Sequence, residues 1–578
     1  MTMLSKRFNS KISLATLIVV GAAAYANSFN GSFVFDDEPN ILENAHIRSL
    51  WPISRVMSAP ERSGLSGRPI LSLSLALNYA VSGYSVWSYH LFNLAVHILA
   101  GLTLYGIIRR ALLSERLRER FSKYTAVLAW IIAAIWLVHP LQTESVTYIV
   151  QRTESMMGLF YLLTLYSAIR AMEAGGGLLW PAVSVVCCGL GMGTKEVMVT
   201  APVMVLLYDR AFAAGSFGAA LRRRWGLYAG LAGTWGILIA LIWSGPRSAS
   251  AGFSLSFGPL DYAMNQCVVI LHYIRLSIWP AGLCLDYSWP VVRDFWRLLP
   301  FAAVILVLGV AIIWGFIRNQ AWSYPAAWFF VILSPTSSFV PIVDLAFEHR
   351  VYLPLAGLAV LIVLWGHILL KRRSARRAGL VLVAAVIIVL GLLTLQRNKD
   401  YCSGMTIWQK VLDIAPDNAR AHYNLGSIIQ KQGRLDEAIS HYRQAIHIKP
   451  DDADVYNNLG NILQFQGKID EAVSHFYQAI NKDPNFFEAY NNLGNALLLQ
   501  GKADEAVFYY SRSLELNPAN ARIHYNLATV LQSQGRSEEA LAYYNRALEL
   551  ASAENNQQLI DQIHKKLESY SQPGPEQN

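Results

Sequence analysis

Up to about residue 396 the chain is built of long apolar runs separated by short polar loops. A run of about 20 apolar residues can cross a bilayer as a helix, because a helix satisfies its own backbone hydrogen bonds within lipid. Charged residues make up 15% of the chain, whereas an ordinary soluble domain has about 25%. We therefore predict that this part of the chain is a polytopic bundle of membrane-spanning helices.

The apolar runs give an ordered set of predicted spans. The clear ones are 12–29, 88–108, 226–244, 298–316, 323–341, 352–370 and 378–395, and the shorter ones are 125–138, 156–171, 178–193 and 196–209. Basic clusters at 6–11, 109–123, 222–224 and 371–377 lie between spans, a pattern typical of cytoplasmic loops. The net charge of +9 therefore reflects membrane topology and does not indicate a nucleic-acid partner.

The order of the basic clusters determines which loops lie outside. The first span leaves the cytoplasm, so an odd number of crossings must follow it before the cluster at 109–123. We therefore predict that 68–83 lies on the outer surface, and the same argument makes 262–280 interfacial or re-entrant. About eleven spans remain, with the first outer loop (30–87) and the C-terminal region outside. Alternatively, residues 1–26 are a cleavable signal peptide, whose loss would remove a span that this count requires.

Beyond residue 396 small residues and prolines recur at a fixed interval of 34 residues. The recurring positions are Gly426, Gly460, Gly494 and Ala528; Gly433, Gly467, Gly501 and Gly535; Ala438, Ala472, Ala506 and Ala540; and Pro416, Pro450, Pro484 and Pro518. This is the period of the tetratricopeptide repeat, in which small side chains let two helices approach and proline ends the second.

The predicted fold is therefore all-α, a membrane bundle over 1–396 followed by an α-solenoid. The solenoid is predicted to have a junction with a half-repeat at 397–418 and four repeats at 419–452, 453–486, 487–520 and 521–554. A capping helix at 555–571 and a disordered tail at 572–578 complete it.

One asparagine recurs with the same period inside the repeats, at Asn424, Asn458, Asn492 and Asn526. At this place in a tetratricopeptide unit the side chain faces the concave groove, the usual binding surface of a solenoid. A carboxamide both donates and accepts, so such a ladder could bind the backbone of an extended acceptor peptide. The alternative is that these asparagines form hydrogen bonds within or between the helices.

Ionisable side chains gather in the predicted outer loops. They are Asp36, Asp37, Glu38 and Arg68; His139, Glu144, Arg152 and Glu154; Lys195 and Glu196; and Glu348, His349 and Arg350. Such groups are costly beside lipid and tend to mark functional cavities, although snorkelling, ion pairs and helix caps are the alternatives. If 144–152 is helical, Glu144, Tyr148 and Arg152 face the same way.

These groups together indicate one reaction type. A carboxylate at the membrane edge can take a proton from a hydroxyl acceptor, and nearby cations can bind the phosphate of a lipid-linked leaving group. The sequence has no glycine-rich phosphate loop of the Walker or Rossmann type. We therefore predict a polyprenyl-phosphate sugar as donor and not a soluble nucleotide sugar.

One family shares an ordered set of motifs with this chain: "FVFDDEPNI", "RPILSLSLALNY", "HLFNLAVHILAGLTLY", "HPLQTESVTYIVQRTESM", "KEVMVTAPVMVLLYD" and "EHRVYLPLAGL", followed by the repeats. The chain resembles the transmembrane and tetratricopeptide-repeat protein O-mannosyltransferases. The resemblance implies a glycosyltransferase C-type membrane fold and inverting transfer of mannose or a similar hexose to Ser or Thr hydroxyls of proteins outside the cytoplasm.

The resemblance also implies roles for residues of this chain. Asp36 or Asp37 would be the general base, and Glu144 would orient acceptor or sugar. Arg152, Lys195 and Arg350 would bind the donor phosphate, with His139, Arg68 and His349 in support. No cofactor is firmly implied beyond the lipid-linked donor, and a divalent cation on the two aspartates is left open.

The sparse repeats and compact loops suggest a prokaryotic relative. The location implied is then the inner membrane with the repeats in the periplasm or exterior, or the endoplasmic reticulum with lumenal repeats if the chain is eukaryotic. A non-enzymatic scaffold that presents the repeats to secreted or envelope proteins is the main alternative. A transporter is a third hypothesis, but the ionisable residues cluster at one face and not through the bilayer centre.

Overall fold

The computed structural model describes residues 10–58, 63–173, 177–244, 257–370 and 373–571, and the elements within these ranges are helical. The chain divides into two compact units, one reaching to Ile414 and the other starting at Ala415. The predicted all-α architecture, with an apolar bundle followed by a repeat region, is confirmed. The predicted basic residues at 6–9 and 371–372 and the tail at 572–578 lie outside the described residues.

The first unit contains eighteen α-helices among its described residues. They are α1 (Ser10–Ala24), α2 (Ile53–Met57), α3 (Pro69–Ser82), α4 (Val86–Leu113), α5 (Glu115–Phe121), α6 (Thr125–Val138), α7 (Thr143–Thr147), α8 (Arg152–Glu173), α9 (Leu179–Met192), α10 (Ala201–Phe212), α11 (Phe217–Gly233), α12 (Trp235–Trp243), α13 (Pro259–Ile278), α14 (Phe295–Ile317), α15 (Ser323–Leu333), α16 (Pro354–Leu369), α17 (Arg373–Asn398) and α18 (Gly404–Ile414).

Seven helical segments among the described residues are long and apolar enough to cross a membrane: Lys11–Asn30, Val86–Leu113, Glu115–Val138, Arg152–Glu173, Phe217–Trp243, Phe295–Ile317 and Ser374–Cys402. Four shorter apolar helices accompany them, α3, α9, α15 and α16. The predicted interfacial element α13 is not among these spans, and its side chains bond instead to the loop that follows α15, as in the 2.9 Å bond from Gln266 Nε2 to the Leu345 carbonyl. The exact number of spans stays a prediction.

The helix ends gather into two groups with different side chains. At one end arginines tie helices together, as where Arg376 Nη1 donates to the Tyr124 hydroxyl at 2.9 Å and Arg116 Nη1 to the Ala211 carbonyl at 2.8 Å. At the other end Asn398 Nδ2 donates to Asn27 Oδ1 at 2.8 Å. Thr147 Oγ1 donates to Asn398 Oδ1 at 2.8 Å, and Arg397 Nη2 donates to Glu348 Oε2 at 3.3 Å. The loops that carry the predicted acids therefore meet at this second end.

The second unit is a run of paired helices. They are α19 (Ala419–Lys431), α20 (Leu435–Ile448), α21 (Ala453–Phe465), α22 (Ile469–Lys482), α23 (Phe487–Leu499), α24 (Ala503–Leu516), α25 (Ala521–Ser533), α26 (Ser537–Ala553) and α27 (Gln557–Ser571). The glycine between the two helices of each pair (Gly433, Gly467, Gly501, Gly535) has φ between +77° and +79°, where a side chain would be strained. Gly460 is required for another reason, because a Cβ there would lie 2.6 Å from the Phe476 ring.

Candidate active site

The acidic loop (residues 33–40) is built around the buried side chain of Asp37. Its Oδ2 accepts the Val34 N–H at 3.0 Å, and its Oδ1 accepts the Val150 N–H at 2.8 Å. The carboxylate thus joins the loop after α1 to the turn before α8. Because two backbone amides already bond its oxygens, Asp37 maintains the shape of the site.

Asp36 differs from its neighbour in being half-exposed. Its backbone N–H donates to the Tyr148 hydroxyl at 2.9 Å, and its side chain also bonds that hydroxyl. A carboxylate with access to solvent and a fixed backbone can meet an incoming hydroxyl group. Of the predicted pair, Asp36 is therefore the more accessible carboxylate, and its role as the base stays a prediction.

Four buried side chains form the ionic cluster: Glu144 from α7, Glu154 from the first turn of α8, and Lys195 and His349 from the segments before α10 and α16. The Glu144 carboxylate accepts the His349 N–H at 2.9 Å and lies 2.7 Å from His349 Nδ1. His349 Nε2 lies 3.8 Å from Glu154 Oε1, and Glu154 forms an ion pair with Lys195. The structure therefore brings together residues that are up to 205 positions apart in the sequence.

Further charges surround the ionic cluster. Arg397 Nη2 donates to Glu348 Oε2 at 3.3 Å, and Glu348 Oε1 accepts the Tyr287 hydroxyl at 2.8 Å. Arg68 is near enough to affect His349, and its Nη2 is 3.8 Å from Glu196. The site thus holds carboxylates and cations close together, away from bulk water.

Burial determines the protonation of these groups. It raises the pKa of Glu144 to about 7, although the His349 N–H and the cations Arg397, Lys195 and Arg350 oppose the shift. It raises the pKa of Glu348 to about 7 and that of Asp37 to about 8. Burial and the nearby Lys195 lower the pKa of His349 well below its ordinary value. His349 is therefore neutral near pH 7, and its Nδ1–H can donate to Glu144.

We expect the buried carboxyl groups Asp37, Glu144 and Glu348 to contribute less to stability as the pH rises from 5 to 8. A carboxyl group with a raised pKa binds an extra proton in the folded state, so its contribution is full below its ordinary pKa of 4.5 and is lost through about 7. One such group gives a slope of at most about 1.4 kcal/mol per pH unit. The measurement is the thermal unfolding midpoint of the detergent-solubilised chain at each pH.

Glu144→Gln should remove one group's share of this pH dependence, because glutamine is neutral throughout. The matched control is Glu43→Gln, since Glu43 is an exposed acid of the first outer loop. A difference in midpoint between Glu144→Gln and the wild type that stays constant from pH 5 to 8 would contradict the assignment.

Both arginines predicted to bind the donor phosphate, Arg350 and Arg152, donate hydrogen bonds to protein acceptors. Arg350 donates to the carbonyls of Asp344, Leu345 and Thr336 at 2.7, 3.0 and 3.3 Å. Arg152 is fully buried and donates to Asn78 Oδ1 at 2.5 Å and to the Tyr89 carbonyl at 3.2 Å. Both guanidinium groups connect loops and helices within the bundle.

The predicted helical stripe of Glu144, Tyr148 and Arg152 is wrong. Helix α7 ends at Thr147 and α8 begins at Arg152, so a turn separates them. Asp37 stabilises this turn by accepting the Val150 N–H. Glu144 consequently joins the ionic cluster, whereas Tyr148 contacts the acidic loop. His139 is a cap residue, with Nδ1 3.2 Å from the Leu141 N–H that it accepts.

The divalent cation left open for the aspartate pair stays a prediction. Both oxygens of Asp37 accept backbone N–H groups. Nowhere in the described ranges do three or more His, Cys, Asp or Glu side chains group as metal ligands. A cavity of about 530 Å³ lies elsewhere in the bundle, lined by apolar and aromatic side chains from α4, α10, α15 and α16, and none of the predicted site residues lines it.

Known proteins with similar sequences identify the two parts of the chain. Family profiles described as "TPR repeat" match residues 430–467 and 463–501, and profiles described as "Tetratricopeptide repeat" match 407–440 and 485–553. A protein O-mannosyl-transferase of Caenorhabditis elegans is 25% identical over 460 residues, covering 75% of this chain and 62% of the worm protein. Protein O-mannosyl-transferase TMTC4 of Mus musculus is 24% identical over 491 residues, covering 74% and 66%.

The chain is similar in sequence to the protein O-mannosyl-transferases. The family resemblance predicted from the motifs is confirmed. A third relative, TMTC1 of Homo sapiens, is 25% identical over 501 residues, covering 75% of this chain and 54% of that protein. The chain thus spans 54% to 66% of the length of these three proteins. Among solved structures, the crystal structure of MamA is 22% identical and covers 26% of this chain and 90% of MamA, with a TM-score of 0.25.

The four repeat asparagines of this chain are half-buried. Asn492 Nδ2 donates to Asn457 Oδ1 at 2.9 Å, and Asn526 Nδ2 to Asn491 Oδ1 at 3.0 Å. Asn458 Nδ2 reaches the Tyr423 hydroxyl at 3.2 Å, whereas Asn424 bonds within its own helix. Three of the four therefore connect successive repeats. Their role in peptide binding stays a prediction.

Sequence reasoning missed two groups of the candidate site. Arg397 was not selected, although a single basic residue after the long apolar run of α17 was a usable signal. Tyr401 follows it and lies within electrostatic reach of Glu144 and Glu348. Nothing in the local sequence indicated that either residue would meet the ionic cluster, because the contact depends on how α17 packs.

Proposed function

We propose that this chain transfers mannose or a similar hexose from a polyprenyl-phosphate donor to Ser or Thr hydroxyls of proteins outside the cytoplasm. The observation that carries the proposal is the half-exposed Asp36, fixed at the same end of the apolar bundle as the buried ionic cluster. The names of the relatives support the sugar and the protein acceptor. The long apolar helices support a donor that is itself a lipid.

In the proposed step the acceptor hydroxyl oxygen attacks C1 of the sugar on the face opposite the phosphate. The C1–O bond to the phosphate breaks, and its electron pair leaves with the polyprenyl phosphate. Asp36 takes the hydroxyl proton as the new C1–O bond forms. The anomeric centre is therefore inverted, and the new negative charge lies on the leaving phosphate.

We assign the neutralisation of that charge to Lys195 and Arg68. Arg68 has 24% of its side chain exposed, so a ligand can reach it, and Lys195 is the cation of the ionic cluster. Fixed cations in a site with little water stabilise developing charge without reorganisation. Arg350 and Arg152 have a structural role within the bundle, since they already donate hydrogen bonds to protein acceptors. Glu144 and His349 hold the other side chains of the ionic cluster in position.

The tetratricopeptide repeats would recruit the acceptor protein, since the concave face of a solenoid is its usual binding surface. The proposed location is a membrane with the acidic loop and the repeats on the non-cytoplasmic side, either the periplasm or exterior of a prokaryote or the lumen of the endoplasmic reticulum. In both cases the donor would be drawn from the same bilayer.

The test is transfer by the purified full-length chain in liposomes. The donors are radiolabelled polyprenyl-phosphate mannose and, separately, a nucleotide-linked mannose, with a denatured Ser/Thr-rich secretory protein as acceptor. We expect label in the protein only with the lipid-linked donor. Binding of the acceptor without transfer from any lipid-linked hexose would overturn the proposed enzymatic activity. It would favour the non-enzymatic scaffold instead.

A further inference from the structure

The backbone of the acidic loop is strained at the residue that precedes the proposed base, Asp36. Phe35, the residue before Asp36, has φ +49°, in the left-handed region that aromatic residues rarely adopt. The turn is closed by the Asp37 N–H, which donates to the Val34 carbonyl at 3.0 Å. A strained conformation of this kind persists only where the surroundings hold it.

The contact that holds Phe35 comes from the helix that precedes the repeats. The Phe35 and Trp408 rings meet edge to face, with centroids 5.0 Å apart and planes at 89°. Trp408 lies in α18 and is 1% exposed. An edge-to-face pair is directional, so it restrains the angle of the Phe35 ring as well as its position.

Two more contacts join the same segments. Tyr401 stacks on Tyr148 with centroids 6.2 Å apart, and the Tyr148 hydroxyl accepts the Asp36 N–H. Ser32 Oγ donates to the Cys402 carbonyl at 3.0 Å. Residues 401–408 therefore contact the segment 32–36 on both sides of the turn, directly through Ser32 and Phe35 and indirectly through Tyr148.

We propose that Trp408 is a positioning residue for Asp36. Trp408 holds Phe35 in its left-handed conformation, and that conformation places the Asp36 carboxylate where the acceptor hydroxyl arrives. The helix that leads into the repeats is therefore part of the candidate active site and not only a connection to it. This inference rests on the proposed function, because it takes Asp36 as the base.

Three variants of the full-length chain separate positioning from folding. Trp408→Leu removes the ring, Trp408→Phe keeps an aromatic edge contact, and Phe35→Gly removes both the partner ring and the strain. The measurements are kcat and donor KM in liposomes, and amide hydrogen exchange of residues 33–40 in detergent. Hydrogen exchange needs no activity, so it tests the contact even if the chain transfers no sugar.

We expect Trp408→Leu and Phe35→Gly each to lower kcat by about 10- to 100-fold, since a misplacement near 1 Å can have such an effect. The donor KM should not change, and the amides of 33–40 should exchange about tenfold faster. Trp408→Phe should restore most of kcat. The double variant should be no worse than either single one, because both remove one contact.

Unchanged exchange of residues 33–40 in Phe35→Gly and Trp408→Leu would overturn the positioning role whatever the activity. Additive losses of kcat in the double variant would do the same. If Trp408→Leu fails to fold, Phe35→Gly and Trp408→Phe still decide the matter. If the wild-type chain transfers no sugar but the variants show faster amide exchange of residues 33–40, the proposed function would be refuted. The contact between Trp408 and Phe35 would still be supported.

Discussion

Asp36→Asn should lower kcat for sugar transfer by about 10²- to 10⁴-fold, the usual contribution of a positioned general base. Asparagine has nearly the same shape but cannot take the hydroxyl proton. Because the Asp36 backbone N–H makes its own bond to Tyr148, the loop should keep its conformation. The measurement is transfer to protein in liposomes, with the unfolding midpoint of each variant determined in parallel.

Two matched variants make the result specific. Glu43→Gln alters an exposed acid of the same outer loop and should transfer like the wild type. Asp37→Asn should instead lower stability, since its amide NH₂ would face a backbone N–H, and an unsatisfied buried group costs about 1–3 kcal/mol. Wild-type transfer by Asp36→Asn would show that Asp36 is not the base.

Lys195→Met should destabilise the chain by about 3–5 kcal/mol, because it leaves the Glu154 carboxylate buried without its cation. The side chains of Lys195 and Glu154 are only 7% and 3% exposed, so solvent cannot replace the lost partner. The measurement is unfolding in detergent, followed by midpoint and by chemical denaturation.

The double variant Lys195→Met with Glu154→Gln should regain most of this stability, since no buried charge is left unpaired. It should still fail to transfer sugar, because the proposed phosphate contact is gone. The control is Arg110→Met, which breaks an ion pair between α4 and α8 that is 25% and 45% exposed. That change should have an effect below about 1 kcal/mol. Equal losses in Arg110→Met and Lys195→Met would contradict the account.

The features that could be predicted from the sequence are those with a local or periodic cause. The interval of 34 residues gave the repeats, because Gly467 and its equivalents occupy a left-handed turn that recurs in each unit. The long apolar runs gave the bundle, since only helices satisfy the backbone within lipid. The Asp-Asp pair marked the acidic loop but did not say which member is exposed.

The contacts of the site could not be predicted, because they join residues far apart in the chain. Glu144 and His349 meet only after several helices have packed. The turn between α7 and α8 is stabilised by Asp37, which lies more than 100 residues earlier in the chain. Helical spacing alone therefore predicted, wrongly, that Glu144 and Arg152 face the same way. Trp408 lies in the predicted half-repeat at 397–418, and its contact with Phe35 depends on tertiary packing.

The most direct test of the central claim is the side of the membrane on which each part lies. Single cysteines would replace Glu43 in the first outer loop, Lys468 in the repeats and Arg118 in the basic loop, in a chain whose five natural cysteines are changed to serine. A membrane-impermeant maleimide on intact cells or sealed right-side-out vesicles should label positions 43 and 468 and spare 118 until the membrane is opened. Labelling of 43 and 468 from opposite sides would contradict the account, because repeats across the bilayer could not deliver an acceptor to Asp36.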